Sequence, residues 1–197
     1  MDQMAGRSTG WGDDGQLYGA IAVAVIAVQA AVLYAMGMSP ICRCGTIALW
    51  HGNPSGPETS QHLTDWYTYT HVLHGVVFYF VLSLVAPRLS IARRLLIAVA
   101  LEASWEIFEN TPMVMERYRR GALAQGYFGD SIVNSVSDSA AAVAGFLIAW
   151  RLPVALVAAL VVGAELAAGY VIRDGLVLNL IQLVHPSEAI SQWQARR

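Results

Sequence analysis

Lysine is absent from this 197-residue chain, and all twelve basic residues are arginines. Charge of either sign is scarce, at 13% of residues, where a soluble domain carries about a quarter. There is no arginine block and no basic stripe interleaved with aromatics, which removes the electrostatic footprint of a nucleic-acid binder. Cysteine is limited to Cys42 and Cys44 in ICRCGT. Zinc hairpins space their thiols by two or more residues and no second pair exists, so a local disulfide or two free thiols is expected. Also missing are a Gly-x-Ser-x-Gly elbow, a phosphate-cradling glycine loop, a Cys–His dyad and the metalloprotease His-Glu-x-x-His helix.

What is present is apolar length. Hydrophobic residues make up 56% of the chain and its mean hydropathy is +0.48. A membrane-spanning helix needs roughly 20 mostly apolar residues, and five windows qualify or nearly so: 17–38, 67–86, 94–111, 130–150 and 153–173. The first is too long for a signal-peptide core and lacks a basic flank, so it reads as a retained anchor. Residues 39–66 form a long polar loop, 87–94 a tight basic turn, and 111–129 an amphipathic interfacial segment opened by Pro112. Three residues at 151–153 force an antiparallel hairpin. The run after Asp174 is too short to span and is expected to lie on the surface as an amphipathic tail. The expected fold is an all-α membrane protein, an up-down bundle of five transmembrane helices with interfacial amphipathic segments. Its parts are a mobile tail over 1–16, a transmembrane domain over 17–174 and the amphipathic tail over 175–197.

The polar residues inside these windows are not scattered. An ionisable residue at mid-membrane costs roughly 2.5–3.5 kcal/mol on insertion scales, so each needs a partner or a wet cavity. Glu102, Glu106 and Glu109 recur at i, i+4, i+7 within about 60° of a helix face, and Asp130, Asn134 and Asp138 at i, i+4, i+8 within about 80°. The second window brings Tyr67, His71 and His74 after His62 and Asp65, and the fifth brings Glu165 before Arg173 and Asp174. In an up-down bundle all four clusters sit at helix ends on one face. Glu102, Asp138 and Glu165 each lie eight residues inside their terminus, about 12 Å at 1.5 Å per residue. The opposite halves of the helices hold no ionisable residue before their basic ends. One polar funnel, open to one side, is expected.

Converging carboxylates repel unless something positive joins them. A divalent metal is the economical choice, since His nitrogen with Asp or Glu oxygen suits Zn, Mn or Fe. The candidate ligands are His71, His74, Glu102, Glu106, Asp130 and Asp138. The paired Glu-x-x-His repeats of di-iron bundles are missing. Haem is disfavoured because His71 and His74 share one helix. Hydrolysis at such a site would use metal-activated water with Glu106 or Glu109 as general base, and Asp65 lies near the mouth as a further catalytic candidate. Trp50, Trp66, Trp105 and Trp193, with Tyr67, Tyr69, Tyr118 and Tyr127, fit an interfacial belt, some of them lining the path of a lipid headgroup.

The stretches LWHG, SQHLTDWYTYTHVLHG, EASWEIFENT, RYR, GDSIVNSVSD and VIRDGL resemble the alphaproteobacterial inner-membrane proteins grouped as domain of unknown function 2585, over roughly residues 40–195. A looser similarity, in His-x-x-His-Gly and the Gly-Asp-Ser start, is to VanZ-like membrane proteins. The resemblance implies a multi-pass location in the bacterial inner membrane and no activity. The short, dense basic loop 87–94 favours a cytoplasmic N-terminus, which puts the polar face on the periplasmic side. Two functions stand open: a metal-dependent hydrolase or transferase acting on a lipid or lipid-linked substrate, and a non-enzymatic accessory or assembly subunit of a larger membrane complex. An ion or proton pathway is a third, opposed by the ionisable-free halves of two helices.

Overall fold

Long runs of Ala, Val, Leu and Ile have no side-chain competitor for backbone hydrogen bonds, and helix formation satisfies each amide within the run. The computed structural model describes residues 11, 14–121 and 123–196, so most of the expected mobile tail lies outside the described residues. Within them the long helices are α1 (Gly15–Ala35), α2 (Thr68–Val85), α3 (Ile91–Glu109), α5 (Ile132–Arg151) and α6 (Val154–Val171). Three short ones are α4 (Pro112–Arg119), α7 (Leu176–Val184) and α8 (Glu188–Ala195). Four helices, α1, α2, α5 and α6, are long and apolar enough to cross a membrane. The fifth expected span, now α3, forms as a 19-residue helix but carries Arg93, Arg94, Glu102, Glu106 and Glu109, too much charge to qualify by composition.

Burial is inverted relative to a soluble bundle. In α1 the fully buried side chains are Gln29 and Leu33, while Val23 and Val28 face outward. Leu84 is 80% exposed and Tyr170 89%. Contiguous apolar surface of this kind marks a lipid or protein contact.

Two glycines set the register of the central pair. A Cβ at Gly75 of α2 would run into the carbonyl oxygen of Ala142, and one at Gly145 of α5 into that of Val72. Small residues here let α2 and α5 approach backbone to backbone. Both helices begin at the same end of the bundle, so the pair is parallel. Four residues before the Gly75–Ala142 contact, one turn along each helix, stand His71 and Asp138. The glycine contact therefore places these two candidate ligands level with each other.

The two ends of the bundle are built differently. At one end Val76, Tyr79, Leu82, Leu95, Val99, Phe146 and Val157 form the apolar core, and Tyr79 meets Phe146 edge to face at 5.3 Å. Arg94 is buried there by folding back on its own turn, where it donates to the carbonyls of Leu89 and Pro87 and to Ser83 Oγ at 2.9–3.1 Å. The other end is roofed by the 39–66 loop, which contains a short parallel pairing of β1 (Trp50–His51) with β2 (Thr64–Asp65). This loop is stitched to the start of α5. The first amides of that helix, otherwise without partners, donate from Ile132 to Ser39 O and from Val133 to Pro40 O at 2.9 and 3.1 Å. Asn134 Nδ2 reaches His62 O at 2.9 Å. Cys42 and Cys44 are joined as a disulfide.

Candidate metal centre and its pocket

The polar stripes of α2, α3 and α5 meet around His71. Its Nδ1 donates to Glu102 Oε1 at 2.6 Å and lies 3.1 Å from Glu106 Oε1, while its Nε2 is 3.7 Å from Asp138 Oδ2. His74 Nδ1 donates to Glu102 Oε2 at 3.1 Å. Glu102, with no exposed surface, thus orients both imidazoles through Nδ1. That is the partner arrangement that fixes metal-binding histidines and leaves the other ring nitrogen with its lone pair.

Two sets of ligand atoms fall close enough to share an ion, each set within 4.8 Å: His71 with His74 and Glu102, and His71 with Glu106 and Asp138. In the second set Glu106 Oε1 and Asp138 Oδ1 are buried without a hydrogen-bond partner. Most buried polar atoms have one, and orphaning a carboxylate oxygen is costly.

Residues absent from the sequence-based site complete this cluster. Ser135 Oγ donates to Glu106 Oε2 at 2.7 Å and accepts from Gln29 Nε2 at 2.8 Å, and Ser139 Oγ donates to Gln29 Oε1 at 2.8 Å. Gln29 is a solitary amide in an otherwise apolar run, and that was the available signal.

Two other candidates stand apart. Asp130 lines the same cavity, but it accepts from Asn110 Nδ2 at 2.6 Å and from Tyr127 OH at 2.9 Å, and its own amide donates to Asn110 Oδ1. Burial raises its pKa, with the Asn110 and Tyr127 bonds opposing. These contacts tie the end of α3 to the start of α5, so Asp130 belongs to neither ligand set. Asp65 accepts from the amides of Ser60 and Tyr67, both at 2.7 Å. It holds the turn before α2 and is not among the residues that line the cavity, near whose mouth the sequence places it as a catalytic candidate. Glu109 does line the cavity and bonds to Tyr118. Burial, then the Glu109 charge, push the Tyr118 hydroxyl well up.

Glu165 forms its own satellite. It accepts from Tyr69 OH at 3.2 Å and from the Leu176 and Val177 amides at 2.9 and 3.3 Å, capping the start of α7. Asp174 accepts from Tyr67 OH and the Gly175 amide, and burial raises its pKa to about 6.

His71, His74 and Asp138 line a cavity of about 120 Å³, room for several water-sized groups. Its walls include Trp105, Tyr67, Tyr118 and Tyr127, its rim Arg117 and Arg120, and its roof α7 and α8. A further group, Cys42, Cys44, Glu58 and His62, also brings ligand atoms within 4.8 Å. There the sulfurs are bonded to each other, and both His62 nitrogens are engaged, by the Ala48 amide and by Glu58.

Fold and site define a class: a helical protein with several membrane-length apolar helices and a buried His–carboxylate cluster beside a cavity. Residues 33–196 match a family model described as a protein of unknown function (DUF2585), and the chain belongs to that family. A UPF0314 protein of Paracoccus denitrificans is 51% identical over 171 residues, 87% of this chain and 89% of the relative. Those of Brucella anthropi and Sphingopyxis alaskensis are 49% and 47% identical over 175 residues, 89% of this chain and 89% and 93% of each relative. No solved structure matches the chain.

Proposed function

We propose that the chain is a multi-pass protein of the bacterial inner membrane with α3 as its fifth span, and that its cavity is the centre of a metal-dependent hydrolase or transferase acting on a lipid or lipid-linked substrate. The two buried oxygens without hydrogen-bond partners, Glu106 Oε1 and Asp138 Oδ1, on side chains that bring ligand atoms within 4.8 Å of His71 and of each other, carry this reading. A divalent cation there supplies both with a partner and offsets charge that would otherwise keep three carboxylates apart. The ligands are His71 Nε2, Glu106 and Asp138, with His74 alongside and Glu102 orienting the rings. Nitrogen with carboxylate oxygen suits Zn, Mn or Fe. Such an ion supplies Lewis acidity and a lowered water pKa when bound. Glu109, on the cavity wall and outside the ligand set, is placed to take a proton. The face of α3 that carries its glutamates is turned inward, so its charge does not prevent it from spanning.

Elemental analysis of protein purified without chelator tests this. About one divalent ion per chain is expected, lost in Asp138→Asn, with a lower melting temperature in chelator. Protein with no ion and a melting curve indifferent to chelator overturns the metal centre. The accessory-subunit reading would then stand on the His71–Glu102 pair, a contact complete without an ion. It requires stable co-purification of partner subunits and full function in Glu106→Gln.

A further inference from the structure

Helix α7 has two faces with opposite surroundings. Val177, Leu180, Ile181 and Val184, at i, i+3, i+4, i+7, are 41–74% exposed, while Leu176, Asn179 and Gln182 line the cavity. Both ends of the helix are pinned. Glu165 caps its start, and Arg117 donates from Nε to Leu183 O at 2.9 Å at its end. Gln182 ties it to α8 through Ser191 at 2.7 Å. The exposed apolar stripe continues the outward-facing Leu166, Tyr170 and Val171 at the end of α6. A stripe of this shape, continuous with a membrane-length helix, suits the headgroup–acyl boundary of a leaflet. The roof of the cavity is then a helix lying in lipid.

The wall beneath that roof combines carboxylates (Glu109, Asp130, Asp138 and Asp174) with the rings of Tyr67, Trp105 and Tyr118. Carboxylates combined with aromatic faces are the standard receptor for an ammonium group. Asp138 Oδ1 in particular is buried and without a partner. Among the described residues the arginines that line it are Arg117 and Arg120, and guanidinium donors match a phosphate. Arg117 spends Nε and one Nη on the Leu183 and Val184 carbonyls and offers its other Nη. Among the described residues the Arg120 side chain is held by Glu116, one turn back, at 2.6 Å.

We propose that this cavity takes the headgroup of an amine-bearing phospholipid, drawn from the leaflet in which α7 lies, with its ammonium toward Glu109 and the aromatic wall and its phosphate at Arg117 and Arg120. The proposal rests on the lipid-substrate reading above and names the headgroup class. It does not require the metal.

The test is lipid retention by the full-length protein in detergent, measured by native mass spectrometry. The probes are equimolar phosphatidylethanolamine, phosphatidylglycerol and diacylglycerol of matched acyl chains. Phosphatidylethanolamine is expected to be retained about tenfold over the others, and Glu109→Gln and Arg120→Gln are each expected to lower its retention about fivefold. Equal retention of all three lipids, or preference for phosphatidylglycerol, overturns the proposal. Displacement by soluble phosphoethanolamine at equal concentration overturns the leaflet as the source. Arg120 is exposed, so Arg120→Gln keeps the test valid if Glu109→Gln fails to fold. Ion-free protein that still selects phosphatidylethanolamine removes the metal centre and leaves this inference standing. Ion-loaded protein without headgroup preference does the reverse.

Discussion

The two ends of the same bundle solve opposite problems with the same helices. Around Phe146 and Tyr79 the contacts are apolar, and the buried Arg94 donates to the carbonyls of the turn before its helix. Around His71, two or three turns away along α2 and α5, Gln29, His71, Glu102, Glu106 and Asp138 are buried together, and Glu106 Oε1 and Asp138 Oδ1 lack hydrogen-bond partners. The first end is held by apolar packing, while the second is held by a hydrogen-bond network. The difference indicates that the polar end is kept for something other than stability, since apolar residues of like volume would hold helices together at least as well.

The largest effect should come from the contact that sets both ends in register. Leucine at Gly75 cannot fit against the Ala142 carbonyl, so α2 and α5 must separate. Gly75→Leu is expected to cost more than about 4 kcal/mol, within the range of severe core lesions, and to abolish recovery of monodisperse protein on size exclusion. Gly163→Ala in α6, where an added Cβ meets nothing within 4 Å, should leave recovery unchanged.

Next come paired lesions, one at each end. Glu102→Leu leaves two imidazoles without their shared carboxylate and should cost about 3–5 kcal/mol, as breaking a buried pair does. Phe146→Ala opens a cavity in the apolar end at a similar cost of about 3–5 kcal/mol. Denaturant titration in detergent measures both. The comparison is sharpened by ion content, which should fall in Glu102→Leu and stay unchanged in Phe146→Ala.

A third test uses pH at the rim of the polar end. Asp174 titrates in the folded chain near 6, raised by burial from its ordinary 3.8. A carboxyl raised on folding favours the folded state fully below about pH 4, and that contribution is lost as pH rises through 6. Melting temperature should therefore fall between pH 4 and 6. Asp174→Asn should remove a part of that slope worth up to roughly 3 kcal/mol.

Much of this is legible in the sequence. Helical period and window length located all five long helices within a few residues, and the parity of an up-down path brought His71, Glu102, Glu106 and Asp138 to one end. What period cannot give is rotation about each helix axis and the geometry of a loop. Asp130 shares a helical face with Asp138 yet precedes the first turn of α5, where Asn110 and Tyr127 can reach it. Asp65 sits beside the cluster in sequence but turns to the amides of its own bend. The loop pairing of β1 with β2 spans two residues per strand, too short for an alternating pattern to register.

Gln29 gives the smallest expected effect and the most pointed comparison. Its amide bridges Ser135 and Ser139, and Ser135 in turn donates to Glu106. In Gln29→Leu the Glu106 bond survives, because Ser135 remains the donor. Ser135 loses only a donor to its oxygen, and the Ser139 hydroxyl, being helical, can turn to the carbonyl one turn back along α5. Interhelical hydrogen bonds in lipid average only about 0.6 kcal/mol for the same reason. The variant should therefore lose about 1 kcal/mol at most in denaturant titration, with ion content unchanged. Ser135→Ala strands Glu106 Oε2 instead and should lower ion content although it removes fewer atoms. If Gln29→Leu were the more damaging of the two, α1 would be an essential wall of the centre. The division of the bundle into an end held by apolar packing and one held by a hydrogen-bond network would then have to include its first helix.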